Sequence, residues 1–304
     1  MGTVHALTGR EATTLDDAVS AYLATLAGPE SAGTRRVYSG VLRALVAEYS
    51  SDADPAALTG RQVADWFASQ WGQRAPSTWN VRLDAVKSAC RYWADQGWLT
   101  EDPTVMLRRR KRSPDRSRAL SRAEVDALLT RDDIALRERL LWRMLYETAA
   151  RSAELLALDV ADLDMPNRKA PVRRKGGAID VVVWQTGTAR LLPRYLKGRK
   201  TGPLFLTDRR ARVELPPGDI DPATGRARLS YRQAAELFTA ASGGKTLHQL
   251  RHSALTHDAE DGASTPMLMA KSGHTSVASL ARYARPSAEA LARWQASRDP
   301  ARRR

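Results

Sequence analysis

A chain of 304 residues that is 43% apolar has enough hydrophobic mass for a sizeable core, and its length points to two domains rather than one. Its single cysteine, Cys90, excludes an intramolecular disulfide and a thiolate-rich metal site, and fits a reducing, cytoplasmic setting. The net charge of +14 predicts an anionic partner, nucleic acid above all: up to Arg112 there are 14 Lys and Arg against 12 Asp and Glu, so +12 of the excess belongs to the remainder.

At the N-terminus, MGTVHALTGREATTLDDA has neither the basic start nor the apolar stretch of a signal peptide, and Ala6 breaks the myristoylation pattern. No run approaches the roughly 18 apolar residues of a membrane span. TLDDAVSAYLATLA sets Ala18, Val19, Tyr22, Leu23 and Leu26 at helical spacing, with Thr14 as cap. TRRVYSGVLRALVAEY, TGRQVADWFASQW and STWNVRLDAVKSACRYWADQGW repeat the periodicity, the last with Gly97 as C-cap, so residues 12–107 read as a small four-helix domain. Pro103, Pro114 and a five-residue basic run then mark 108–118 as a basic interdomain linker able to lie along phosphates.

The second domain, 119–304, opens on LSRAEVDALL, where Ser121 and Glu124 form a capping box, and continues with a helix from about Ala135 to Ala150. KAPVRRKGGAIDVVVW reads as two β-runs around Gly176-Gly177, a hairpin with Lys175 at its turn. Helical segments follow around 188–196, 231–241, 247–260, 266–271, 277–283 and 288–295. The expected fold is mainly α with a small antiparallel β-sheet, an α+β arrangement, in the second domain.

Three of the five histidines fall in TLHQLRHSALTHDAEDG. On a helix after Thr246, His248, Arg251, His252 and Leu255 stand at i, i+3, i+4 and i+7 and share a face. The HxxxH spacing is that of zinc helices, but Gln249 replaces the glutamate and Arg251 repels a metal. A guanidinium fork beside an imidazole suits a phosphate instead. A reacting phosphodiester gains negative charge on its non-bridging oxygens and calls for a second arginine, for which Arg151 in YETAARSAELLALDVADLD is the candidate. The carboxylates Asp159, Asp162 and Asp164 read as an acidic loop leading into the hairpin rather than a metal site. SGHTSVASLARYARPS adds His274 and Tyr283; a rival reading takes TPMLMAKSGHTSVASLARY as a helix-turn-helix with Gly273 in the turn.

These elements, in this order, resemble the tyrosine recombinase, or phage integrase, family of the simple two-domain type. HQLRH, SGH and Tyr283 stand at the family's separations, ARSAELLAL looks like its first arginine box, and VRRKGG looks like its β-turn lysine. The N-terminal helices and the basic linker are similar to the family's helical, SAM-like core-binding domain and its connection to the catalytic domain. Ala149 stands where the family usually has glycine, Ser272 where leucine is common, and AIDVVVW lacks the basic residue and proline often found after the lysine.

The resemblance implies a site-specific DNA recombinase or integrase that cleaves and rejoins DNA through a 3′-phosphotyrosyl intermediate, with neither ATP nor metal nor other cofactor. It implies Tyr283 as nucleophile, Arg151 and Arg251 as phosphate clamp, and His274 as a donor to a non-bridging oxygen. His248 is implied as general base, Lys175 as general acid, and Glu154 as support. It also implies double-stranded recombination sites as partners, a duplex clamped between the two domains, and a homotetramer on two sites in which AEALARWQA docks on a neighbour. His252 is left without a chemical role. The rivals are a type IB topoisomerase or telomere resolvase of similar chemistry, and a catalytically silent DNA-binding protein.

Overall fold

Four stretches of apolar residues at helical spacing assemble the first of two units, residues 1–113 and 114–304, into which the chain divides. The structure, a computed structural model, describes residues 13–28, 31–111, 119–174, 176–280 and 288–298. In the first unit α1 (Leu15–Thr25) is capped by Thr14, whose hydroxyl accepts from the Asp17 N–H at 3.2 Å. Leu15, Val19 and Tyr22 of α1 meet Val41, Leu42 and Leu45 of α2 (Ala32–Tyr49). Val63, Trp66 and Phe67 of α3 (Gly60–Trp71) and Leu83, Val86 and Trp93 of α4 (Pro76–Asp95) complete this core. The buried Trp93 keeps its indole N–H satisfied by donating to the Ala18 carbonyl at 2.8 Å. After α4, Gly97 takes the left-handed conformation (φ 74°) that lets the chain reverse, and the Trp98 N–H returns to the Trp93 carbonyl at 2.8 Å.

The start of the expected linker is fastened to α4. Asn80 brackets Arg110, accepting from its N–H and donating to its carbonyl, both at 2.8 Å, while the Arg110 guanidinium lies 3.7 Å from the centre of the Trp79 ring. Residues 112–118 lie outside the described residues.

The second unit is built around α6 (Leu136–Thr148), whose Leu140, Leu141, Trp142, Met144 and Leu145 are at most 1% exposed. Against it pack α5 (Arg122–Thr130), with the expected Ser121–Glu124 capping box, α8 (Thr186–Leu196), α9 (Tyr231–Ala241) and α10 (Leu247–Glu260). A short α7 (Ser152–Leu156) leads to the hairpin of β1 (Lys169–Arg173) and β2 (Ile179–Val183). They pair antiparallel, Lys169 opposite Val183 and Arg173 opposite Ile179, with Ala170, Val172 and Val182 facing the core. A second hairpin, β3 (Leu206–Arg210) with β4 (Arg226–Arg228), was not expected. LTDRR and RAR bury only Leu206 and Ala227, so neither carries the apolar alternation that announces a strand. The last described elements are α11 (Thr265–Ser272), α12 (Val277–Leu280) and α13 (Ala288–Arg298). The architecture is thus mostly helical with two small antiparallel sheets, and among the described residues no helix is long and apolar enough to cross a membrane.

Candidate active site

The end of α6 sets the first arginine. Ala149 takes a left-handed conformation (φ 52°) that stops the helix and turns the chain, and two residues later Arg151 opens α7 in extended backbone. Glu154, on the first turn of α7, reaches back: Oε2 accepts from the Arg151 N–H at 2.8 Å and Oε1 from Arg151 Nη1 at 2.7 Å. The carboxylate is buried whereas the Arg151 side chain remains 37% exposed, so the guanidinium is anchored from one side and open on the other.

The second arginine comes from the buried helix α10. Arg251 is 2% exposed; its Nη1 donates to the Ala149 carbonyl and its Nη2 to the Ser272 carbonyl at 2.7 Å. Two carbonyl acceptors taken from different segments fix the fork and join the end of α6 to the end of α11. Gly273 follows in the left-handed conformation (φ 63°), and His274 follows it, its Nδ1 sharing a 2.6 Å hydrogen bond with Ser272 Oγ. Arg151, Glu154, Arg251 and His274 are therefore linked through Ala149 and Ser272.

His248 lies exposed on the first turn of α10, three residues before Arg251. Gln249, which on sequence argued against zinc, accepts from the Thr246 N–H at 2.7 Å and so helps cap that helix. His252 is buried within α10, its Nδ1 3.4 Å from Thr256 Oγ1. Lys175 and Tyr283 lie outside the described residues. The three aspartates serve structure: Asp159 pairs with Arg228 at 2.7 Å, Asp162 accepts from the Asp159 N–H at 2.8 Å, and Asp164 accepts from Asn167, which holds its carboxyl below the usual range. Among the described residues no cluster of three or more His, Cys, Asp or Glu is placed to hold a metal.

One residue at this site was missed on sequence. Arg174 is buried, and its Nη1 donates to Glu154 Oε2 at 2.7 Å, so Glu154 bridges two guanidiniums. The signal was strand parity: with Ala170 and Val172 inward, position 174 also points in.

Residues 118–290 match the model of the phage integrase family. The tyrosine recombinase XerC of Mycobacterium tuberculosis is 34% identical over 288 residues, 88% of this chain and 92% of that protein. The XerC of Mycobacterium sp. (strain KMS) is 32% identical over 285 residues, with the same coverage of 88% and 92%. Among solved structures, a lambda integrase dimer bound to a COC′ core site superposes with a TM-score of 0.71 at 16% identity, covering 91% of this chain and 97% of that one. The Tn1549 transposon integrase in complex with circular intermediate DNA gives 0.68 at 15% identity, covering 93% and 99%. At such identities the structural likeness establishes a common fold.

Proposed function

Because this chain belongs to the phage integrase family of tyrosine recombinases, we propose that its DNA cleavage and rejoining proceed by transesterification at Tyr283. The phenolic oxygen of Tyr283 attacks the scissile phosphorus, an O–P bond to the enzyme forms, and the bond to the 5′-oxygen breaks. A phenol with a reference pKa of about 10 needs a proton acceptor to attack near neutrality, and His248 is assigned that role. Lys175 supplies the proton to the departing 5′-oxygen. Arg151 and Arg251 meet the charge that grows on the non-bridging oxygens, and His274 donates to one of them. One phosphoester replaces another, so rejoining runs the same steps backward and draws on neither ATP nor a metal.

The observation that carries this reading is the bond from Arg251 to the carbonyl of Ala149, two residues before Arg151, which unites two arginine-bearing segments 100 positions apart in sequence. A silent DNA-binding module has no use for such a junction. Site-specific exchange between two duplexes, with four protomers on two sites and α13 docking on a neighbour, completes the proposal. Its affinity for DNA rests largely on phosphate contacts made by the basic second unit and falls with salt.

Trapping on a nicked suicide duplex tests it. The wild-type chain is expected to form a covalent adduct that survives denaturing electrophoresis, and Tyr283→Phe to bind the same duplex and form none. An adduct with the Phe variant would remove Tyr283 as nucleophile.

A further inference from the structure

Arg174 takes no part in the steps above, yet this arginine is only 7% exposed. Nη1 donates to Glu154 Oε2 at 2.7 Å and Nε to Asp180 Oδ2 at 3.1 Å, while Nη2 is buried without a partner among the described residues. The group lies against Gly273: a Cβ built there would stand 2.5 Å from Nε and 2.7 Å from Cζ. Arg174 therefore occupies the space between the carboxylate that holds Arg151 and the backbone that leads into His274.

Burial of a guanidinium is costly, and an apolar residue at an inward strand position would serve packing better. The hairpin does not need it, since the β1–β2 register and the inward Ala170, Val172 and Val182 already seat it. What Arg174 supplies is a second cation for Glu154. Without Arg174 the carboxylate would be held only by Arg151 itself, through its backbone N–H and its half-exposed side chain. Shared with Arg174, which is itself held by Asp180, it becomes a fixed post from which Arg151 projects.

We propose that Arg174 is a positioning residue: through Glu154 it fixes Arg151 against the scissile phosphate. The inference rests on the reading of Arg151 as part of the phosphate clamp.

The test uses the full chain and a nicked suicide duplex whose site the protein has selected from random-sequence DNA. The scissile group is either a phosphodiester or a methylphosphonate, in which a neutral methyl replaces one non-bridging oxygen and removes the charge that the clamp must meet. Arg174→Gln is expected to bind DNA within about threefold of wild type but to form adduct on the phosphodiester about 10²-fold more slowly, as a small misplacement of a reacting group does. On the methylphosphonate the deficit should shrink to about threefold, and in an Arg151→Ala background the substitution should cost nothing further. Arg174→Lys, which keeps the charge but reaches one carboxylate rather than two, should show a smaller loss with the same substrate dependence. Where Arg151→Ala by itself is slow but measurable on the phosphodiester, as the clamp reading requires, adduct formation by Arg174→Gln at full speed, equal slowing on both substrates, or an additive loss in the Arg151→Ala background would overturn the proposal. If Arg151→Ala cleaves the phosphodiester as wild type does, the clamp reading fails first and the inference falls with it.

Discussion

Arg251 donates to the carbonyl oxygen of Ala149, so the buried guanidinium of α10 is held by the residue that terminates α6 in a left-handed turn. A lysine at 251 offers one compact ammonium where the structure uses a planar fork to reach Ala149 and Ser272 together. Arg251→Lys is expected to lower the rate of covalent adduct formation by about 10²-fold, the usual cost of losing one aimed donor to a developing oxyanion, with little change in DNA binding. His252→Asn, on the same helix and buried beside Thr256, should cost under about tenfold. Equal losses for the two variants in a single-turnover cleavage assay would contradict the division of roles.

Ala149 tests whether the turn tolerates its departure from the glycine common in the family. The left-handed conformation costs an L-residue about 1–2 kcal/mol, which glycine avoids. Against this, glycine gives up a buried methyl worth about 0.8 kcal/mol and adds about 0.5–1 kcal/mol of unfolded-state freedom. The terms nearly cancel, so Ala149→Gly should shift the urea midpoint by less than about 1 kcal/mol equivalent. Ala149→Val, branched at a position of φ 52°, should destabilise by several times as much. A large loss for the glycine variant would mean that the methyl, not the turn, is what the position requires.

The helices were legible because each carries a local signal, a cap, a periodic apolar stripe or a glycine at a helix end, whereas Arg151 was singled out by the resemblance of its segment to the family's first arginine box. Thr14, Ser121 and Gly97 do in the structure what their residue types imply. The α10 face was read only in part. His248, Arg251 and His252 do share a side by spacing, but nearly every side of α10 is packed, and only the tertiary partners separate an exposed His248 from a buried His252. Arg174 and the β3–β4 hairpin escaped notice for a related reason. Their meaning lies in long-range pairing, with Glu154 in one case and across 15 intervening residues in the other, and pairing of that kind leaves little trace in composition.

Ser272, where leucine is common in the family, shares a 2.6 Å hydrogen bond with His274 Nδ1, and its hydroxyl also lies 3.4 Å from the Met269 carbonyl. Held through Nδ1, the ring leaves Nε2 as the nitrogen for a phosphate oxygen. Ser272→Ala should therefore slow adduct formation about tenfold while leaving DNA binding and the urea midpoint nearly unchanged. A marked fall in the urea midpoint alongside the slower reaction would indicate a packing defect at this fully buried position instead.

His257 gives the fold a dependence on pH. Its Nδ1 is 2.8 Å from the Tyr146 hydroxyl, and burial first, then the nearby Arg122 charge, push its pKa below the ordinary histidine value, against smaller upward pulls from Glu260, the Leu120 carbonyl and Asp261. With the folded value depressed, the unfolded chain binds the proton more readily. The stabilisation is therefore complete above the unfolded value of about 6.5 and is lost as pH falls through the lower folded value. Between pH 7.5 and pH 5, wild type should lose more stability in urea titrations than His257→Gln, which cannot take the proton. Parallel losses in the two proteins would assign the acid sensitivity to other groups.

The proposed assembly places its own demand on α13. Leu291 and Trp294 stand one turn apart and are 48% and 47% exposed, with the Arg298 guanidinium 4.2 Å from the centre of the Trp294 ring. Apolar side chains left open on a terminal helix gain most when a second protomer covers them. Truncation after Arg285 removes that helix and leaves every residue assigned to the chemistry. It should reduce synaptic complexes of two duplexes by more than about tenfold in gel shifts while changing single-site binding by less than about threefold, a modest set of contacts being lost in the first case and none in the second. Equal weakening of both would show that α13 supports the fold of its own protomer and not a neighbour.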